Sequence, residues 1–450
     1  MLDPIILKHE HRRVPRYTSY PTAPHFTAAI DEDVYRAWLA GLSRGGPLSL
    51  YIHVPFCQTL CWYCGCHTRG TKDYAPVAGY LDALRHEIDL LAEALPTRMQ
   101  VGHVHWGGGT PSIVRPEDFL SIMTALRQRF SFRRGAEVAV EIDPRVLHSD
   151  TLDAFRLAGV TRASVGVQSF DPAVQEAINR VQSFAQTRGA VDALRAAGIR
   201  HINLDLVYGL PHQTRDNSRA TASRAAELAP DRFAVFGYAH VPTFKPHQRL
   251  IDEAALPTAP ERLDQYQAIA ETLTAGGYVP VGLDHFARAD DPLATALGEG
   301  TLRRNFQGYT DDQCETLIGL GASSIGSLPS GYVQNEPRVP EYQKTVAEDR
   351  LPIVRGRYIT REDRLRRDVI ESLMVYLRVD LDRIAARHGI DVNHFAADLA
   401  SLAEYEADGL VRMHRHEITV PDRYRPLIRS VAAVFDAYLR PDETRHARAV

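Results

Sequence analysis

The chain has 450 residues, 44% apolar and 24% charged, with 52 Lys and Arg against 56 Asp and Glu for a formal net charge of −4. Such a length supports two or three domains with real cores, and the mixed composition excludes disorder and collagen-like repeats. Without long basic blocks the chain lacks the electrostatic footprint of a nucleic-acid binder, so a small-molecule ligand is expected.

The first residues, MLDPIILKHEHRR, have no continuous apolar stretch of the kind that marks a signal peptide. No run in the chain approaches the ~18 apolar residues of a membrane span, and a cytoplasmic protein is expected. Residues 1–47 read as an irregular arm, because Pro15, Pro21 and Pro24 interrupt any helix and only the stretch around Val34, Trp38 and Leu39 is amphipathic. An arm of this kind must dock on the rest of the chain.

From residue 48, short β-rich runs alternate with helical segments. The runs are LSLYIHVP (48–55), VGHVHW (101–106), EVAVEI (137–142), RASVGV (162–167), INLDLVY (202–208) and RFAVFGY (232–238). Between the first two, Leu84, Ile88, Leu91 and Leu95 fall on one face at the 3.6 period, predicting a helix over 80–95. Repeated β-α units imply a parallel sheet with right-handed crossovers. Period-2 arithmetic then gives each strand one apolar and one polar face: Leu48, Leu50, Ile52 and Val54 oppose Ser49, Tyr51 and His53, and Val138, Val140 and Ile142 oppose Glu137, Ala139 and Glu141. A closed barrel fills its middle with Val, Ile and Leu. The polar faces predict instead a splayed, incomplete barrel over 48–290, with a large polar ligand on its concave side. Residues 291–355, rich in Gly and Pro, read as a loop-rich connection, and 356–450 as a mainly helical C-terminal domain with a short β-like pair at 409–420.

The five cysteines are unevenly placed. Cys57, Cys61, Cys64 and Cys66 lie within ten positions directly after the first strand, and Cys314 stands alone. Residues this close gain little from disulfide closure, so the set reads as a metal site in a reducing compartment. Thiolates suit zinc or an iron–sulfur cluster. Structural zinc takes four ligands in two spaced pairs, and no second pair exists; Cys66, separated from Cys64 by a single residue, is cramped as a fourth ligand. Three thiolates on a cubane would leave one iron open to a ligand, and zinc remains the alternative.

YIHVPFCQTLCWYCGC resembles the signature of radical S-adenosylmethionine (SAM) enzymes. Beyond it, RYTSYPTA (16–23), HWGGGTP (105–111), EIDP (141–144), GVQSF (166–170), NLDLVYGLP (203–211), YAH (238–240), DHFA (284–287) and NFQGYT (305–310) stand in the order found in oxygen-independent coproporphyrinogen III oxidases. The resemblance covers essentially the whole chain.

It implies an α/β fold: an incomplete (β/α)6-type radical SAM barrel with an N-terminal arm and a mainly helical C-terminal domain. It also implies a [4Fe-4S] cluster on Cys57, Cys61 and Cys64, with Cys66 outside the ligand set. SAM would be chelated at the open iron and contacted by Tyr51, Tyr63, Gly108, Gly109, Thr110 and Glu141. Gln168, Arg180, Asp205 and Ala239 match positions around a second SAM-sized ligand, and Ile325 matches an adenosine contact. The implied reaction is radical decarboxylation of two propionates of coproporphyrinogen III to vinyl groups, with no side-chain base. A low-potential donor such as flavodoxin or ferredoxin and a further electron acceptor are implied partners, on a monomer. Arg12, Arg13, Arg16, Arg303 and Arg304 are candidates for propionate binding. His53, His103, His105, His240 and His285 read as hydrogen-bonded structural groups, since none shows the i,i+4 spacing of a helical metal site.

Overall fold

The structure is a computed structural model that describes residues 4–9 and 12–439. The ends of the expected arm and C-terminal domain, residues 1–3, 10–11 and 440–450, lie outside the described residues. Six strands follow one another as the alternation requires: β1 Pro47–Val54, β2 Gln100–Gly108, β3 Ser131–Ile142, β4 Arg162–Gln168, β5 His201–Tyr208 and β6 Arg232–Gly237. Each pairs in parallel with the next. Their apolar faces turn outward onto helices such as Ala75–Ala94, whose Leu84, Ile88 and Leu91 are buried against Leu48, Leu50 and Ile52 in one large core.

The sheet continues past these six strands. β7 Tyr278–Val281 and β8 His285–Arg288 add to one edge, and β9 Thr316–Leu320, β10 Ile325–Leu328, β11 Gly331–Asn335 and β12 Ile353–Tyr358 add to the other. Across the sheet the order is β12-β11-β10-β9-β1-β2-β3-β4-β5-β6-β8-β7, an open curve with free ends. β9 pairs in parallel with β1, whereas β10 to β12 and β7 to β8 run antiparallel to their neighbours.

Residues 291–355, read from sequence as a loop-rich connection, therefore supply the large sheet with three complete strands and the start of a fourth, besides a hairpin of Arg303–Asn305 and Gly308–Thr310. The sheet strands are only four to six residues long, and their glycines are packing residues rather than loop markers. At Gly331 a Cβ would collide with the backbone carbonyl of Arg357 on β12 and lie 2.6 Å from the Trp38 ring.

The C-terminal region builds its own core from the helices Arg361–Tyr376 and Leu381–His388 and a three-stranded sheet of Arg378–Asp380, Glu417–Thr419 and Arg412–His414. Leu365, Val369, Leu373, Ile418 and Tyr424 are buried there together with Val14, Tyr17 and Tyr20 of the arm. Tyr17 donates to Asp436 at 3.0 Å, and the Tyr20 hydroxyl accepts from the Ala437 N–H at 2.9 Å. On the other side, Tyr332 of β11 donates to the Tyr20 carbonyl at 3.2 Å. The arm thus joins the sheet to the C-terminal core. Among the described residues no helix is long and apolar enough to cross a membrane.

Candidate active site

The cysteines occupy the loop that leaves the end of β1. Its base is a two-residue parallel ladder, Phe56–Cys57 against Arg69–Gly70, and the Trp62 N–H donates to the Ile178 carbonyl at 3.0 Å. Asn179 adds a side-chain bond to the Leu60 carbonyl at 3.0 Å. A further segment clasps the loop from outside: Gln248, His247 and Lys245 contact the carbonyls of Tyr63, Cys64 and Cys66 at 3.0, 2.7 and 2.8 Å. Buried Gln248 also bonds the Ala239 carbonyl at 3.2 Å and accepts from the Val241 N–H at 2.6 Å. Loop and clasp are therefore one hydrogen-bonded unit.

Donors converge on the sulfur atoms. Thr110 donates to Cys57 Sγ at 3.2 Å, and the Thr68 hydroxyl lies 3.3 Å from the same atom. Burial pushes the Cys57 thiol up from its ordinary range, and these two hydroxyls draw it back. Arg145 and Arg180 point guanidinium N–H groups at Cys61 Sγ from 3.5 and 3.6 Å. Both arginines are paired with Asp143, at 2.6 and 3.3 Å. Although burial raises Asp143, these two partners hold it below the usual carboxylate range. Cys66, exposed, gives its backbone N–H to Cys64 Sγ at 3.4 Å.

The N–H···S and O–H···S donors suit a thiolate-bound iron–sulfur cluster, whose potential such hydrogen bonds tune.

Beside the loop, β2 ends in the Gly107–Gly109 turn. Gly109 N–H donates to Val54 O and Thr110 N–H to Phe56 O, both at 2.8 Å, which ties the turn to β1. Gly108 has φ +111°, and a Cβ there would lie 2.5 Å from the His53 ring. The glycine is thus demanded by backbone conformation and packing even before any ligand is considered. Its N–H donates to Glu141 Oε2 at 3.2 Å, while Glu141 Oε1 lies 3.1 Å from His105 Nε2. His105 in turn stacks on Tyr51 with ring centres 5.8 Å apart. His53 Nε2 lies 2.8 Å from the His67 carbonyl and must donate to it, leaving Nδ1 to accept from the Tyr51 hydroxyl at 3.0 Å. Burial drives His53 down to about 4, so it is neutral at pH 7.

Of these groups His105 and Glu141 face a cavity of about 1140 Å³ on the concave side of the sheet, lined also by Tyr63, Cys64, Gln168, Asp205 and Ala239. Binding pockets for small molecules usually run to about 300–1,000 Å³, so this one has room for more than a single small ligand. Gln168 enters it from the end of β4, where the pairing with β5 slips between Gly166 and Gln168 and the residue takes φ +67°. Asp205 accepts from Ser164 and Asn203 at 3.1 and 2.7 Å, and burial, aided by the charge of Glu141, pushes it up to about 6. Ile325, outside the lining of this cavity, packs with Phe26, Tyr332 and Ile359 and runs beside Gly319, the β9 partner of Tyr51. Of the arginines singled out in sequence, Arg13, Arg16 and Arg304 line the cavity. Arg303 instead pairs with Glu371 at 3.0 Å, and Arg12 lies over the Tyr405 ring at 4.8 Å.

The floor of the cavity closes on itself. Arg162 pairs with Glu137 at 3.0 Å and Arg232 with Asp291 at 2.6 Å, while His103 lies 3.5 Å from Asp312. Part of the polar inner face is therefore neutralised within the protein, and the rest is left for ligands. All five histidines read as structural have hydrogen-bonding or ionic partners; His240 contacts Tyr238 and Glu253, and His285 contacts Asp284.

Comparison with known proteins agrees with this geometry. The profile of the radical SAM superfamily matches residues 51–225. An oxygen-independent coproporphyrinogen III oxidase of Bradyrhizobium diazoefficiens is 53% identical over 446 residues, 99% of each chain. The chain belongs to the oxygen-independent coproporphyrinogen III oxidases. A second relative of that name, from Paracoccus denitrificans, is 44% identical over 95% of this chain and 94% of its own. Among solved structures, the coproporphyrinogen III oxidase (HemN) of Escherichia coli, a radical SAM enzyme, superposes with a TM-score of 0.91 at 39% identity, covering 98% of this chain and 99% of the other.

As a coproporphyrinogen III oxidase the protein uses a [4Fe-4S] cluster and SAM, and the three-thiol loop with its ring of donors fits the cluster. Sequence reading missed the groups that reach the loop from other elements: Asp143 and Arg145 just beyond β3, and the 245–248 clasp. The first pair was visible in EIDPR, where a carboxylate and a guanidinium follow Glu141; nothing local marked the second.

Proposed function

We propose that this protein converts coproporphyrinogen III to protoporphyrinogen IX without oxygen, turning two propionates into vinyl groups. One observation carries the reading: three thiols with converging donors stand at the side of a large, partly polar cavity, in a chain matched end to end by enzymes of that name. Cys57, Cys61 and Cys64 hold the cluster. Glu141, the Gly108–Thr110 turn, Tyr51 and Tyr63 form the SAM side, and Gln168, Arg180, Asp205 and Ala239 form the adjoining wall. When bound, the cluster and SAM supply the carbon radical that takes hydrogen from the substrate. The residues of the chain position the reacting groups and keep water away from them.

All these groups come from one chain, which supports a working monomer. The exposed edge of the cysteine loop at Gly65, Cys66 and His67 suits reduction by a small low-potential carrier such as flavodoxin or ferredoxin, and a separate acceptor takes the electrons left on the substrate. A cytoplasmic location fits the thiol chemistry.

Anaerobic incubation of the reconstituted protein with dithionite, SAM and coproporphyrinogen III tests the assignment. Both 5′-deoxyadenosine and a divinyl product are expected. The nucleoside without vinyl product would indicate a different radical reaction, and neither product would indicate a carrier rather than an enzyme.

A further inference from the structure

The cavity carries charged groups of both signs, brought to it by different elements. On the side of the cysteine loop stand Glu141 and Asp205, whose neighbours are His105, Ser164 and Asn203. A different set of elements, namely the arm, the 303–310 hairpin and the last turns of the C-terminal core, brings Arg16, Arg304 and Arg429 to the same cavity.

These guanidiniums are held by main-chain oxygens. Arg16 donates to Gly237 O at 3.2 Å, Arg304 to Tyr17 O at 3.3 Å and to Arg16 O at 3.4 Å, and Arg429 to Val14 O at 3.4 Å. Neither Arg16 nor Arg304 forms an ion pair with a carboxylate among the described residues. Arg304 also lies 4.4 Å over the Tyr309 ring, which fixes its plane. Asp284 is the carboxylate that faces the group, and its hydrogen bond goes to His285 at 2.7 Å. Arg429 is 9% exposed, and burial together with the charges of Arg16 and Arg304 brings it down to about 10. Bringing Arg16 and Arg304 together at a cavity wall, with no carboxylate bonded to either guanidinium among the described residues, is unfavourable unless an anion completes the site.

We propose that Arg16 and Arg304 form a carboxylate clamp for propionates of the substrate other than the one reacting. The macrocycle is then held by its anionic rim, and the reacting propionate points toward the cysteine loop. This rests on the proposed reaction, whose substrate carries four propionates. Arginine is suited to the task because its planar fork meets a carboxylate with two parallel hydrogen bonds. Arg16 and Arg304 belong to the RYTSYPTA and RRNFQGYT segments, which gives those segments a chemical role.

The test is steady-state kinetics of the reconstituted Arg16→Gln, Arg304→Gln and double variants with coproporphyrinogen III, the visible absorbance of the cluster serving as the check on folding. The expected result is a KM raised tenfold or more in the double variant, with kcat changed far less and much of the loss recovered by Arg304→Lys. A KM rise of less than tenfold overturns the clamp. A second measurement uses only the unaltered protein: competition by coproporphyrin III as the tetra-acid and as its tetramethyl ester. The clamp requires the acid to inhibit at least tenfold more strongly, and equal inhibition overturns it. Should the unaltered protein fail to convert coproporphyrinogen III at all, the proposed reaction fails, a result distinct from conversion with an unchanged KM in the variants.

Discussion

Glu87 offers a quantitative test of how the end of β1, and with it the cysteine loop, is held in place. The residue is 2% exposed in the helix Ala75–Ala94. It accepts from the Tyr342 hydroxyl at 2.6 Å, the Asn335 amide at 2.6 Å and the Gly321 N–H at 2.7 Å. Beside it, the Tyr80 hydroxyl donates to the His53 carbonyl of β1 at 2.6 Å and accepts from the Ala322 N–H at 3.0 Å. Burial pushes Glu87 from 4.5 up to about 7 in spite of its three donors. The native state therefore holds this proton more tightly than the unfolded chain does. The contribution of this group to stability is fully present below pH 4.5, falls as pH rises toward 7 and levels off above it. At about 1.4 kcal/mol per pH unit the full loss is about 3 kcal/mol, most of it between pH 5 and pH 8. Glu87→Gln removes the titration while keeping an oxygen for Tyr342 and Gly321. Urea unfolding of both proteins, followed by fluorescence across that range, isolates the effect because every other titrating group cancels in the difference. The variant should be less stable than the unaltered protein at pH 5, by roughly the one hydrogen bond lost to Asn335, about 1 kcal/mol, and should overtake it by pH 8. A difference that does not vary with pH would refute the reasoning.

Three further outcomes are expected at the site. Cys57→Ala abolishes both the brown absorbance of the cluster and SAM cleavage, whereas Cys66→Ser keeps the cluster; iron analysis and visible spectra check both, and loss of iron in the second variant would move Cys66 into the ligand set. Glu141→Gln keeps the cluster but weakens SAM binding about tenfold, the scale of one charge-assisted hydrogen bond, as read by equilibrium dialysis; unchanged affinity would remove Glu141 from the SAM side. Arg145→Met deletes a cationic N–H donor to Cys61 Sγ, so the midpoint potential of the reconstituted cluster should become more negative in a redox titration, and a value that stays put would make Arg145 only a partner of Asp143.

The features read correctly from sequence are those written within one segment. The period-2 faces of β1 and β3 and the three thiols of one loop are local patterns, and each reappears in the structure. The strands β9 to β11 were illegible because glycines that allow one strand to pack on another look, in sequence, like loop residues. The polar inner face was legible as a pattern, but its meaning divides in a way that sequence does not show. Glu137 and Arg162 are 25 residues apart and Arg232 and Asp291 are 59 apart, and only the curve of the sheet turns them into a closed floor. Above that floor the same curvature leaves Glu141 and Asp205 on the cysteine side, while the arm, the 303–310 hairpin and the C-terminal core bring arginines to the cavity. A chain with a net charge of −4 thus gathers cations where this cavity meets three distant segments. No single window of the sequence carries that arrangement, because Arg13 and Arg16, Arg304, and Arg429 come from three separate segments.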